Sequence, residues 1–334
     1  MNQDRKSDHI QLALESQGSL KEHERRFIYE PMLSAHPGEE DHPFQFLGKT
    51  LHFPLWISSM TGGTPAARKI NENLAQVCAE FGLGMGLGSC RKILSDHTDF
   101  ADFDWRDTVG KDRPFFANLG IAQVEQLFEK GQQNAMQDLV ENLRADGLII
   151  HVNPLQEWFQ PEGDQIKKMP VETIEQVLAA FGFPVIVKEV GQGMGPESLR
   201  RLLKLPLAAI EFAAYGGTNF SKLELARTKG KEVFEPFIRV GQTSLQMVQD
   251  VNGLVASESG LKCRQLIISG GIKNALDGYF YTGMSHLPAI FGMASAVLQP
   301  AAESYEALKK FMEQQIEQYQ LAKAFLKINF DYAE

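Results

Sequence analysis

The densest chemistry in this chain lies in HVNPLQE, residues 151–157. An imidazole (His151), two amides (Asn153 and Gln156) and a carboxylate (Glu157) stand close together, interrupted by Pro154. Residues two apart in an extended segment share a face, so His151 and Asn153 are expected to point the same way. Pro154 is expected to end the strand, with Gln156 and Glu157 following in a loop. This set suits binding of a diphosphate, ligation of Mg²⁺ and proton transfer. A lone histidine at a strand end is usually a satisfied core residue; four polar functions in one short run point to a site.

Two glycine stretches suggest a second function. Ser269–Gly270–Gly271 and Gly292–Met293–Ala294 each follow an apolar run. Bare glycine backbone can turn its N–H groups toward a phosphate, although the same residues also serve simple tight turns. GMGLG (84–88) and GQGMG (191–195) have the spacing G-x-G-x-G, which is not a dinucleotide fingerprint. Lys188 follows three apolar residues in VIVKEVGQG, where an ammonium is costly to bury without an anionic partner. Two partners are open on residue type alone. One is a carboxylate within the fold, Glu189 or an aspartate. The other is the electron-rich N1–C2=O edge of a reduced flavin. No Ser-His-Asp arrangement stands out, and Cys90 is as compatible with packing as with nucleophilic chemistry.

These motifs share a position. Eight short runs read as strands: Leu55–Ser59, Leu83–Leu87, Phe115–Leu119, Gly147–Val152, Pro184–Lys188, Leu207–Phe212, Gln265–Ser269 and Ala289–Gly292. They are mostly unalternating, as strands covered on both faces should be. Helical stretches follow most of them. In the first, Ile70, Leu74, Val77 and Phe81 share a face between Pro65 and Gly82. The α/β pattern is that of a (β/α)₈ TIM barrel, with an open doubly wound sheet as the alternative. The motifs SSMTGG, GLGSCR, NLG, HVNPLQE, KEVGQGMG, YGGTNF, SGGIK and FGMA all fall at strand C-termini, the rim where such barrels build their sites.

Residues 1–54 are expected to form an N-terminal arm and, around Leu47–Thr50, a hairpin capping the barrel bottom; residues 55–334 form the barrel. The connection after the sixth strand is long. Its stretch 219–239 reads as irregular, suited to a lid or subunit contact, and VGQTSLQMVQDV as helical. After Glu303, Tyr305, Leu308, Met312, Ile316 and Tyr319 recur at helical spacing.

With 33 Lys+Arg against 42 Asp+Glu and no basic block, nucleic acid is not an expected partner. The three cysteines are scattered, which excludes a disulfide framework and fits a reducing cytoplasm. No apolar run is long enough for a membrane span, and MNQDRKSDHIQ lacks the apolar core of a secretory signal.

At these residues the sequence resembles the type 2, FMN-dependent isopentenyl-diphosphate isomerases. The resemblance runs from Arg5, Lys6 and His9 through Met60–Gly63, Gly88–Arg91, Asn118–Gly120, His151–Glu157, Lys188–Gly193, Gly216–Phe220 and Ser269–Ile272. It implies that FMN is held by Met60, Thr61, Gly62, Ser89, Asn118, Lys188, Thr218, Gly270, Gly271, Met293 and Ala294. It further implies that Arg5, Lys6, His9, Arg91, His151, Asn153 and Gln156 bind a small-molecule diphosphate and that Glu157 ligates Mg²⁺. Gln156, His151 and Lys188 would be the catalytic groups, NADPH the reductant of FMN, and the assembly a homo-oligomer, tetramer or octamer. The chain departs from the family pattern at Cys90, Tyr215, Lys273 and Phe280. The competing reading is another FMN barrel, a hydroxy-acid oxidase or nucleotide dehydrogenase. The first needs a base, commonly a histidine near strand seven, where this chain has SGGIK. The second needs a cysteine in the strand-six loop, from which Cys263 is remote.

Overall fold

Strands without a polar face must be covered on both sides, and here they are. In the computed structural model, which describes residues 12–13, 15–16, 18–38, 43–59, 65–94, 97–228 and 230–333, eight parallel strands form a closed barrel. In chain order they are β4 (Leu55–Ile57), β5 (Gly84–Gly86), β6 (Phe115–Gly120), β7 (Gly147–His151), β8 (Val185–Lys188), β9 (Ala209–Glu211), β10 (Leu266–Ser269) and β11 (Ala289–Met293). Pairing of Phe291 with Leu55 and of Met293 with Ile57 closes the ring. All eight coincide with the expected runs, and the open sheet is excluded.

Before the barrel lie β1 (Phe27–Tyr29) and a hairpin of β2 (Phe44–Phe46) and β3 (Lys49–Leu51). Leu47 and Gly48 both take positive φ in its two-residue turn. The hairpin's Phe46 and Leu51 are buried with Trp56, Phe116, Ile149, Ile186, Ala209, Ile267 and Ile290, which fill the barrel interior. It is tied at the strands' N-terminal ends: Leu47 N–H donates to Gln265 Oε1 (2.9 Å), and Arg113 Nη1 to Thr50 O (3.0 Å). The bottom is therefore plugged, and the mouth at the other end is the place left for a ligand.

Outside the strands, the helix Pro65–Phe81 buries Leu74 and Val77, and the helix Tyr305–Phe325 buries Leu308 and Met312. The chain then adds β12 (Leu326–Ile328), antiparallel to β1. One expectation needs correction. Stretch 219–239 is not irregular but holds the helix Phe220–Arg227 and a 3₁₀ helix, Glu232–Arg239. The first is capped by Asn219, whose side chain accepts from Lys222 N–H, and it buries Ser221 and Glu224 while Leu223 is exposed. A helix whose buried face is polar leaves no apolar periodicity to read. No described helix is long and apolar enough to cross a membrane.

Candidate active site

The strand ends open into a mouth cavity of about 350 Å³. Ser58, Lys188, Glu211, Thr218, Gly270, Gly271 and Ala294 are among the residues lining it. One side is a glycine cradle. A Cβ on Gly217 would stand 3.0 Å from Gly271 N, and one on Gly270 only 2.2 Å from Ala214 N and O. Gly216, Gly270 and Gly271 also take positive φ. The cradle is braced from behind: Ser244 Oγ donates to Gly270 O (2.7 Å), and Ala213 N–H to Ser269 Oγ (2.9 Å). Rigid backbone without side chains, beside the exposed Lys273, is suited to a phosphate.

Across the cavity, Lys188 is buried at the end of β8, and its Nζ donates to the Glu189 carbonyl (2.8 Å). The Glu189 carboxylate is turned elsewhere, accepting the N–H groups of Gly191, Gln192 and Gly193. Burial raises its pKa, with those three donors working in the opposite direction. Among the described residues Lys188 forms no salt bridge, so its charge faces the cavity.

The HVNPLQE group lies beside this cavity, where His151 of β7 pairs in register with Lys188. Gln156 and Glu157 are not in a loop. Pro154 opens a short helix, Pro154–Phe159, because a proline at the first helical position costs no hydrogen bond. From the position preceding it, Asn153 Nδ2 donates to Gln156 Oε1 (3.1 Å) and Glu157 Oε1 (3.0 Å). Glu157 Oε2 accepts from Asp164 N–H (2.7 Å). Arg91 is ion-paired with Asp164 (2.7 Å), which also accepts from Gln123 and Gln126.

Asn118 Nδ2 donates to Leu87 O (2.9 Å), which turns its Oδ1 to His151 Nδ1 (2.8 Å). An oxygen can only accept there, so Nδ1 carries the imidazole proton. Burial, reinforced by the Lys188 charge, lowers the His151 pKa to about 3. The ring is neutral at pH 7. Because the folded pKa lies below the unfolded value near 6.5, stability is full above that value and falls as pH drops toward 3. The slope is about 1.4 kcal/mol per pH unit at most. In the ligand-free protein, the His151 ring resonances are expected to stay unshifted from pH 8 to pH 5; a midpoint near 6 would contradict this environment.

Of the expected flavin residues, Lys188, Thr218, Gly270, Gly271 and Ala294 come together around the cavity. Asn118 spends its amide on Leu87 and His151, Ser89 is exposed, and Met293 packs its side chain between strands and helices. Arg5, Lys6, His9, Met60, Thr61 and Gly62 lie outside the described residues. Cys90 is buried, and its thiol is pushed up to about 12, which suits packing rather than nucleophilic attack. At another departure, the Arg26 guanidinium lies 5.5 Å from the Phe280 ring centroid and pairs with Asp277 (2.8 Å). Sequence reading flagged the motifs holding Ser58 and Ser269 but missed Glu211. The signal was present: a glutamate inside the apolar run LAAIEFAA has no solvent face to occupy.

A plugged (β/α)₈ barrel, with a glycine cradle and a buried lysine sharing its mouth, defines an α/β-barrel protein with one ligand-sized cavity at its strand ends. Solved structures agree on the fold. A mandelate oxidase variant with an FMN adduct matches at TM-score 0.56 and 13% identity, over 91% of this chain and 88% of that one. A flavocytochrome b2 variant with pyruvate bound matches at TM-score 0.62 and 11% identity, over 90% and 72%. No protein-family model matches the chain. Curated relatives resolve the family. The isopentenyl-diphosphate delta-isomerase of Rickettsia akari is 34% identical over 327 residues, 95% of this chain and 91% of its own length. That of Rickettsia prowazekii is 34% identical over 315 residues, 91% and 87%. The chain belongs to the isopentenyl-diphosphate delta-isomerase family.

Proposed function

We propose that this chain interconverts isopentenyl and dimethylallyl diphosphate by an allylic proton shift, as a type 2 isomerase that uses reduced FMN and Mg²⁺. The observation carrying the FMN part is the pairing of a glycine cradle with a buried lysine that forms no salt bridge among the described residues, both lining one cavity of ligand size. Gly216, Gly217, Gly270, Gly271 and Ala294 would hold the phosphate of FMN, and Lys188 would hold the N1–C2=O edge. When bound, reduced flavin supplies an electron-rich surface with exchangeable protons and stabilises positive charge.

The chain's own groups handle the substrate. Arg91, with Arg5, Lys6 and His9 of the arm, would bind the diphosphate. His151 would join them by taking a proton at Nε2, since its Nδ1–H is held by Asn118, and Asn153 by turning an amide N–H away from Gln156 or Glu157. Glu157 fits Mg²⁺ carried on that diphosphate, because this ion takes one or two carboxylates and keeps phosphate and water ligands. Asn153 holds Gln156 in place, positioning its amide as a proton relay toward the isoprenoid carbons. One proton is added at an alkene carbon and another leaves an allylic carbon, so no electrons are gained or lost. NADPH would serve only to reduce FMN. A homo-oligomer, tetramer or octamer, in the cytoplasm completes the reading.

Redox bookkeeping tests it. Anaerobically, one stoichiometric reduction by NADPH is expected to support many turnovers, and product formed in D₂O is expected to contain deuterium. Reductant consumed mole for mole with product would overturn the isomerase and favour a hydroxy-acid oxidase or nucleotide dehydrogenase. Among the described residues the cavity lining contains no histidine, the base that the former commonly uses.

Glu157→Gln is expected to raise the Mg²⁺ concentration needed for half-maximal rate by roughly tenfold or more, with bound flavin unchanged. An unaltered Mg²⁺ dependence would remove Glu157 from the metal site.

A further inference from the structure

The side chain of Glu211 is fully buried on β9, between the strand bearing Lys188 and the strand leading to Gly270. Its Oε1 accepts from Ser58 Oγ (2.6 Å) and Ser269 Oγ (3.2 Å), contacts that hold the carboxylate in one orientation. Its Oε2 has no hydrogen-bond partner among the described residues, although the side chain lines the cavity. Leaving a buried carboxylate oxygen unpaired is expensive, and the usual resolution is a donor supplied by a ligand.

The geometry points to Glu211 as a cofactor-positioning residue, whose Oε2 accepts a hydrogen bond from a hydroxyl of the FMN ribityl chain. This rests on the flavin reading above. A flavin mononucleotide with its phosphate in the glycine cradle and its ring edge at Lys188 has its ribityl chain between the two, and β9 lies between the strands that carry them. A carboxylate would repel the electron-rich ring edge, whereas hydroxyl groups are donors it can use. Glu211 pairs in register with Lys188 on the neighbouring strand, and no ion pair joins the two among the described residues.

The test measures flavin dissociation constants of the full-length protein by quenching of flavin fluorescence. The probes are FMN and its 2′-, 3′- and 4′-deoxyribityl analogues. In the wild type, one analogue is expected to bind roughly 10- to 100-fold more weakly than FMN, the worth of a hydrogen bond to a charged group. In Glu211→Ala, FMN should weaken by a similar factor, and that analogue and FMN should bind alike. Glu211→Gln, which preserves side-chain volume, serves if the alanine variant does not fold, and should narrow the difference. Equal binding of all three analogues and FMN by the wild type would overturn the assignment. So would wild-type FMN affinity in both variants. A wild type that binds no FMN would instead overturn the flavin reading itself, and Glu211's role with it.

Discussion

Lys188→Met is expected to lower turnover by roughly 10²- to 10³-fold, the effect of removing one preorganised charge from a water-poor site. The substitution keeps the length of the side chain, so the pocket is not enlarged. Only the donation to the Glu189 carbonyl is lost, and Glu189's own carboxylate contacts, to Gly191, Gln192 and Gly193, are untouched. A buried ammonium without an ion-pair partner carries a desolvation cost, and methionine removes it. The variant should therefore unfold at a denaturant concentration no lower than the wild type while being nearly inactive. Stopped assays under anaerobic, pre-reduced conditions separate the two readouts. A variant that retained near-normal turnover would show that Lys188 is a structural residue of the barrel wall.

The second large effect is expected at Gly270. An alanine there would place its Cβ 2.2 Å from Ala214 N and O, on a backbone at φ +96°. Backbone atoms cannot rotate aside, so the loop after β9 or the one after β10 must move. Strain and overpacking together cost about 2–5 kcal/mol. The movement would break the cradle, because Ala214 N–H donates to Ser269 O and Gly270 O accepts from Ser244. Gly270→Ala is expected to lose bound flavin and to unfold at markedly lower denaturant. Gly260→Ala is the control: it has φ +77° but nothing within 4 Å of the added Cβ. It should cost only about 1–2 kcal/mol and leave flavin affinity unchanged. Equal flavin affinity in both variants would show that the cradle does not hold the phosphate.

Much of this architecture was written in the order of residue types. Eight short apolar runs without polar alternation, most followed by a helical stretch, read as strands covered on both faces, and the glycine or polar motifs after each one point to one rim. The spacing of Ile70, Leu74, Val77 and Phe81, and of Leu308 and Met312, announced helices because burial of one face repeats with the helical period. The hairpin was legible from alternation of Phe44 and Phe46 with Leu51, although its turn is Leu47–Gly48 rather than Leu47–Thr50, with Lys49 and Thr50 already in the strand. What stayed hidden depends on partners distant in sequence. The helix Phe220–Arg227 buries Ser221 and Glu224, so its face is satisfied by tertiary hydrogen bonds, such as Ser221 Oγ to Gln192 Oε1 (2.6 Å), rather than by apolar spacing. The β1–β12 ladder joins segments from the two ends of the chain, and neither is long enough to declare itself.

The site divides in the same way. Residue types alone marked His151, Asn153, Gln156, Glu157 and Lys188 as candidates, because polar groups at the ends of buried strands need a partner. Only the folded chain decided what each faces. It sent the Glu189 carboxylate to three backbone N–H groups and left Lys188 to the cavity. It fixed the His151 proton on Nδ1 through Asn118 and Leu87. It also brought Ser58, Glu211 and Ser269, far apart in sequence, into one buried cluster beside that cavity. Side-chain type and local period are properties of a segment, whereas the partner of a buried polar atom is set by closure of the barrel.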